Sequence, residues 1–365
     1  AGGLSRTFTT LTDLVAGQSV TQNGSNVMAA VSSINLQTVY NYGSATNILI
    51  SRVAWDNINN VGVYIYLDNT IQFQIVGFKL SGSGIITLGT PVNIHTVLLG
   101  TVYKLTNTGN AQFIISTHPT GLNNFFLYGV SINLTTLAVT VGSQVSASIP
   151  STSNTHTVVY NSNQNRVILA YYIDTNDLEY SISTQTGTTV LVAALGTITT
   201  GLATTDFACS VSTTGDTIIV GIYDRIVACT VDGSLDTVTP GTPIASAGIE
   251  DAYAVDWDPD NNRVVFLAGD NAVLAPQFRV YSLSGITLTL LYTVLNASIP
   301  NNTQPLIDFD YDSVRKRFVL FHSINPAVAG SGIRATPFSA GVASMTFDSS
   351  VSVTGVQSVF TGYTG

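Results

Sequence analysis

One unit recurs six times along this chain, and it limits the fold more than any other feature: a polar turn leading straight into an apolar run. The copies are "VAWDNINNVGVYIYLD" from Val53, "VYKLTNTGNAQFIIST" from Val102, "VVYNSNQNRVILAYYID" from Val158, "ACSVSTTGDTIIVGIYD" from Ala208, "AVDWDPDNNRVVFLAG" from Ala254 and "IDFDYDSVRKRFVLFHS" from Ile307. The last turn residues before each run are Asn60, Asn110, Asn165, Asp216, Asn262 and Lys316, at steps of 50, 55, 51, 46 and 54 residues. A period of this length marks propeller-type arrays, in which a repeat buries its apolar faces only by stacking on its neighbours.

Each copy carries the same strand order. The strand before the turn alternates polar and apolar residues, as in "YAVDWD". The strand after it is apolar at nearly every position, as in "RVILAYYI" and "TIIVGIY", the pattern of a strand covered on both faces. An alternating third strand follows ("LEYSIST", "FRVYSLSG"), then a weaker fourth ("GIITLGTPVNI", "TVTPGTPIA"). The reading is an all-β chain: a β-propeller of six four-stranded blades over residues 48–365, preceded by a short N-terminal β segment, 1–47. A tandem of β-sandwiches is the alternative. In the turn "DPDNN", Asp258 is expected to accept from backbone N–H groups two residues on, Pro259 presets φ, and Asn261 and Asn262 tolerate left-handed backbone. Arg166, Arg263 and Arg317 follow their turns at matching places, where each is expected to cover a strand edge or pair with a turn carboxylate.

Composition removes several classes of function. Against 21 acidic residues stand 12 Lys and Arg, a net charge of −9 with no basic cluster, so a phosphate-tracking nucleic-acid surface is excluded. Mean hydropathy is +0.34, yet no window approaches 18 uninterrupted apolar residues, so the apolar content belongs to short strands and no membrane insertion is expected. The start "AGGLSRTFTT" has no basic region followed by an apolar stretch, which reads as a secretory signal absent or already removed. Cys209 and Cys229 fall two strands apart, roughly 9.5 Å at the usual spacing, beyond the reach of a disulfide. Both read as buried free thiols.

No constellation of catalytic residues is legible. Three arginines in a propeller resemble the carboxylate clamp of sialidases, but these repeat with the blade and so spread around the ring, and the Asp box Ser-x-Asp-x-Gly-x-x-Trp is missing. Asp256, Asp258 and Asp260, and again Asp308, Asp310 and Asp312, have a spacing that could offer oxygens to calcium. Asn261 and Ser313 stand where an EF-hand loop needs Gly, and Leu267 and Val319 where it needs Glu, so these carboxylates read as turn caps. His95, His118, His156 and His322 show no metal-ligand spacing and read as strand or loop residues. Nucleophile-elbow, P-loop and dinucleotide motifs are absent. Within "GLNNFFLYG" (121–129) the aromatics follow a turn closely, as at a sugar-binding loop, but the stretch reads as strand. The expectation is a protein without turnover, with no catalytic, cofactor-binding or metal-binding residue and no cofactor.

"VAWDNINNVGVYIYL" with "QFQIVGFKLSGSGIITLGTPVNI" resembles a repeat of tail-fibre and other virion-surface proteins of tailed phages, where a "YDP-x-x-N-x-V" turn and apolar strand precede "V-x-G-x-x-I-x-x-G-T-P-V". The match is best at 53–94 and 254–287, looser at 158–200 and 307–350, and fails at 101–116, which lacks the Asp-Pro turn. "LVAGQSVTQNGSNVMAAVSS" resembles the small β unit leading such proteins. The resemblance implies a structural protein on the virion surface, in contact with other virion proteins and self-associating, for attachment to a host glycan or receptor or for cementing subunits. A secreted carbohydrate-binding or adhesion propeller of cellular origin is the alternative. Residues 1–47, outside the repeat, are expected to anchor the ring to a partner or to complete its closure.

Overall fold

The computed structural model describes residues 20–23, 26–29, 50–67, 72–80, 86–96, 102–119, 124–148, 156–173, 177–201, 209–222, 225–245, 251–269, 277–295, 307–312, 315–323, 333–348 and 350–353. They form a six-bladed β-propeller without a helix among them, each blade an antiparallel sheet built from one continuous stretch of chain. The inner strands are Ile50–Asp56, Val102–Gly109, His156–Asn161, Cys209–Thr214, Asp251–Asp258 and Ile307–Asp312. Those of successive blades lie side by side from blade 1 to blade 6. The second strands, such as Arg166–Ile173 and Thr217–Ile222, are buried almost throughout, which explains their continuous apolar runs.

The repeated turn has a backbone cause. Asn60, Asn110, Asn165, Asn262 and Lys316 all adopt left-handed backbone, with φ between 51° and 56°. A chain reversing in so few residues needs one such position, and Asn or Gly accepts it at least cost. In blade 4 the position shifts by one residue, from the expected Asp216 to Gly215 (φ 56°). Blade 2, which departs from the family-like pattern, reverses through Gly109, Asn110 and Ala111, all at positive φ. "FFLYG" belongs to the strand Asn124–Ile132, with Phe125 fully buried.

The turn carboxylates act as caps. Asp258 accepts from the Asp260 and Asn261 N–H groups (2.9 and 3.2 Å), and Asp56 from those of Ile58 and Asn59 (3.0 and 3.2 Å). The neighbouring Asp256 accepts from the Tyr311 N–H of blade 6 at 2.7 Å, and Asp260 from the Lys316 ammonium and the Tyr311 hydroxyl. The carboxylates of the first Asp triplet are thus taken by turns and by the blade 5–6 junction, and no group of three metal-ligating side chains gathers among the described residues. Two of the three arginines brace junctions too. Arg166 pairs with Asp236 of blade 4 at 2.5 Å and donates to the Gly233 carbonyl; Arg263 reaches the Gly341 carbonyl of blade 6; Arg317 pairs with Asp348 in its own blade.

The weak fourth strand is weak for a structural reason. In blades 1, 2, 4 and 6 it is broken into two short pieces, both pairing with the third strand. Three of the breaks fall at Gly89, Gly142 and Gly241, the first and last being the Gly of "GTP". Each hydrogen-bonds back to the third strand and lies against a turn carbonyl of the next blade: Leu137, Thr188 and Ile286 respectively. A side chain there would keep the blades apart. Five cores fill the junctions 1–2, 2–3, 3–4, 4–5 and 5–6. Cys229, free and buried in the 3–4 core, has its thiol pKa pushed up to about 12 by burial; the Cys209 side chain lies outside the described residues. Ahead of the ring, Val20–Asn23 and Asn26–Ala29 pair as the hairpin expected at "NGS", with Asn23 opposite Asn26. The "TFTTLTDLV" stretch lies outside the described residues.

Candidate functional site

The two ends of the ring differ. One carries the repeated turns, whose charges are taken up in caps and junctions. At the other, where inner strands begin and second strands end, blades 2 and 3 turn two polar rows toward each other. On blade 3, His156 lies opposite Tyr171 and Tyr171 opposite Glu179 in the strand register, so the three form one row on one face. On blade 2, Lys104, Ser116 and Leu127 form the facing row. The rows meet where His156 Nε2 and Ser116 Oγ lie 3.0 Å apart, both fully buried. His118 and Phe125 complete the wall: Phe125 is 4.7 Å from the His118 ring, 4.8 Å from His156 and 5.0 Å from Tyr171, centroid to centroid.

Electrostatics single this mouth out. Burial holds the His156 pKa well below its ordinary 6.5, and the charges of Lys104, His118 and Arg52 push the same way, so the imidazole is neutral at neutral pH. Its Nδ1 is buried and has no hydrogen-bond partner among the described residues. Desolvation raises the Glu179 pKa, and the neighbouring Asp177 adds to the rise; the Tyr171 hydroxyl beside it opposes it. Burial likewise raises the pKa of Tyr171, with the Glu179 charge as second cause. A neutral imidazole and a carboxyl of raised pKa gathered in one largely buried cluster form a pattern enriched at binding and catalytic sites.

His156 makes folding pH-dependent with a definite sign. Unfolded chains take up the proton below pH 6.5 while the folded protein resists it, so stability is present above that pH and is lost as pH falls. The loss is about 1.4 kcal/mol per pH unit until the folded pKa is reached. Urea unfolding at pH 7, 6 and 5 should show this slope, and His156→Gln should flatten it; an equal slope in both proteins would place its origin elsewhere.

The sequence did not nominate these residues. His118 and His156 have no metal-like spacing, and they meet only because the end of one blade's second strand abuts the start of the next blade's inner strand. His322 sits in another hydrogen-bonded chain on blade 6, with Nε2 3.2 Å from Thr336 Oγ1, which is 2.8 Å from Ser350 Oγ. His95 lies in the strand Val92–Thr96.

No protein-family model and no curated protein matches the chain. Solved structures do match in fold. A periplasmic gluconolactonase of Pseudomonas aeruginosa superposes with a TM-score of 0.61 at 10% identity, covering 92% of both chains. A candidate 6-phosphogluconolactonase of Bacteroides uniformis gives 0.60 at 8% identity, covering 82% of this chain and 84% of its own. A Lactobacillus plantarum protein gives 0.57 at 11%, covering 82% and 83%. At these identities the likeness defines the fold class, a β-propeller. It also corrects one expectation: the reading of a protein without turnover does not stand, because a gluconolactonase is built on this architecture. The physical reason is that a propeller assembles its site from strand ends of separate blades, so a missing linear motif says little about chemistry at the mouth.

Proposed function

We propose that this chain is a carbohydrate-recognising β-propeller displayed on a surface, that of a phage particle as the sequence resemblance implies, and that the sugar enters between blades 2 and 3. The observation that carries the reading is the pair of facing rows, Lys104–Ser116 and His156–Tyr171–Glu179, with Phe125 between them. Hydroxyl-rich ligands need closely set donors and acceptors, and Lys104 and Glu179, the partly exposed ends of the two rows, would supply them. Contact with other virion proteins and self-association belong to the same proposal.

A second reading has its own support in the Ser116–His156 contact and in gluconolactonases sharing the fold: the mouth opens a sugar lactone. Neutral His156 would take a proton from water as its oxygen attacks the lactone carbonyl, and return it to the departing ring oxygen. Calorimetry with neutral sugars, uronic acids and aldonolactones, with lactone opening followed by pH-stat, tests both. Binding weakened tenfold or more by Glu179→Gln and Lys104→Ala is expected. Binding indifferent to both variants, or no binding by any sugar, would sink the proposal; lactone opening lost in His156→Gln would favour the second reading.

A further inference from the structure

The ring has a seam. Counting back three residues from the turn-capping residue of the inner strand gives Val158, Val255 and Phe309 in blades 3, 5 and 6, and each packs in the core shared with the preceding blade. They are 8%, 5% and 2% exposed. The same position in blade 1 is Val53, and it is 62% exposed. Trp55, two residues on and so on the same face, is half-buried and, among the described residues, stacks on Phe78 of its own blade, at 5.4 Å. Across the seam, Phe321 of blade 6 alternates with Leu320, which packs toward blade 5, and is 44% exposed.

Two further observations agree. Among the described residues no core of buried side chains joins blade 6 to blade 1, and their inner strands lack the side-by-side run of the other five pairs. The junction brace is also missing. Asp256 of blade 5 accepts the Tyr311 N–H of blade 6, whereas Asp310, at the equivalent position of blade 6, has no such bond from blade 1 among the described residues. Asp310 is exposed to solvent.

We propose that the hairpin of Val20–Asn23 and Asn26–Ala29 seats in this seam, between blade 6 and blade 1, and closes the ring. The chain enters the ring at Ile50, on the very strand that forms one wall, so the segment is tethered at the opening. The hairpin of Val20–Asn23 and Asn26–Ala29 pairs only with itself among the described strands, and a two-stranded hairpin alone is marginal in water. Apolar walls and a hairpin that pairs only with itself among the described strands are complementary.

Trp55 is the natural reporter, because the chain has two tryptophans and Trp257→Phe leaves it alone. In the full-length Trp257→Phe protein, Trp55 fluorescence should be blue-shifted and poorly quenched by acrylamide. Starting the chain at Ala45 should red-shift the emission and raise quenching severalfold. Val27→Pro in the full-length protein, which breaks a hairpin strand without touching the ring, should do the same, and it decides the matter if the shortened chain fails to fold. Trp55 equally quenchable in the full-length, shortened and Val27→Pro proteins would overturn the proposal. So would shielding of Trp55 that appears only as concentration drives dimers together, since a second copy would then be the occupant.

Discussion

Gly142→Ala should destabilise the protein by about 3 kcal/mol, read as a fall in the denaturant midpoint with an unchanged slope. A Cβ at this position would stand 2.0 Å from the Thr188 carbonyl oxygen of blade 3 and 2.9 Å from its carbon. Those are backbone atoms, so the strain cannot be relieved by turning a side chain and must part blades 2 and 3. The φ of Gly142 is not left-handed, which makes the cost one of space. Gly109→Ala is the control. It has positive φ (82°) and nothing within 4 Å, and should lose only about 1 kcal/mol. Equal losses in the two would mean that close approach of the blades is not what Gly142 provides.

Asp56→Ala should cost about as much, for a different reason. The carboxylate is 1% exposed and accepts four hydrogen bonds: three from its own turn, and one of 2.7 Å from the buried Ala111 N–H of blade 2. Burial alone would raise its pKa, but the bonds from Asn59, Ala111 and Ile58 outweigh this and hold it below the ordinary value. Removing the acceptor leaves a buried N–H unpaired and the turn uncapped, together about 3 kcal/mol. Asp56→Asn should recover most of it, as Asn161 caps the same turn in blade 3 by accepting from the Gln164 N–H at 3.1 Å. Chemical denaturation of the two variants checks this, and a loss as large in Asp56→Asn would show that charge, rather than acceptor geometry, is what matters.

These two residues show which parts of the molecule a sequence can disclose. Turns were legible because they act locally: a left-handed residue restricts the amino acid to a few types wherever it occurs, so Asn60, Asn165 and Asn262 announce themselves. Gly142 gave no such local sign, because its reason, the carbonyl of Thr188, lies in the next blade. The mouth is harder still, since His156, Tyr171 and Glu179 are neighbours only through strand register, and Ser116 joins them only because two sheets face each other. The seam was partly legible as an N-terminal segment left over from the repeat. That blade 1 shares no buried core with blade 6 among the described residues emerged only when Val53 could be compared with Val158, Val255 and Phe309.

The five cores have a consequence for how the protein fails. Each is shared by two adjacent blades and by no others, so a lesion in blade 3 reaches two cores and leaves the rest intact. Blades 1 and 6 each have a single core among the described residues. Such a chain behaves as a string of couplings bent into a circle, and it should come apart from the ends of the string inward. Heat or denaturant would first loosen the blades flanking the seam, while blades 3 and 4 persist, and variation in sequence would be tolerated in the same order.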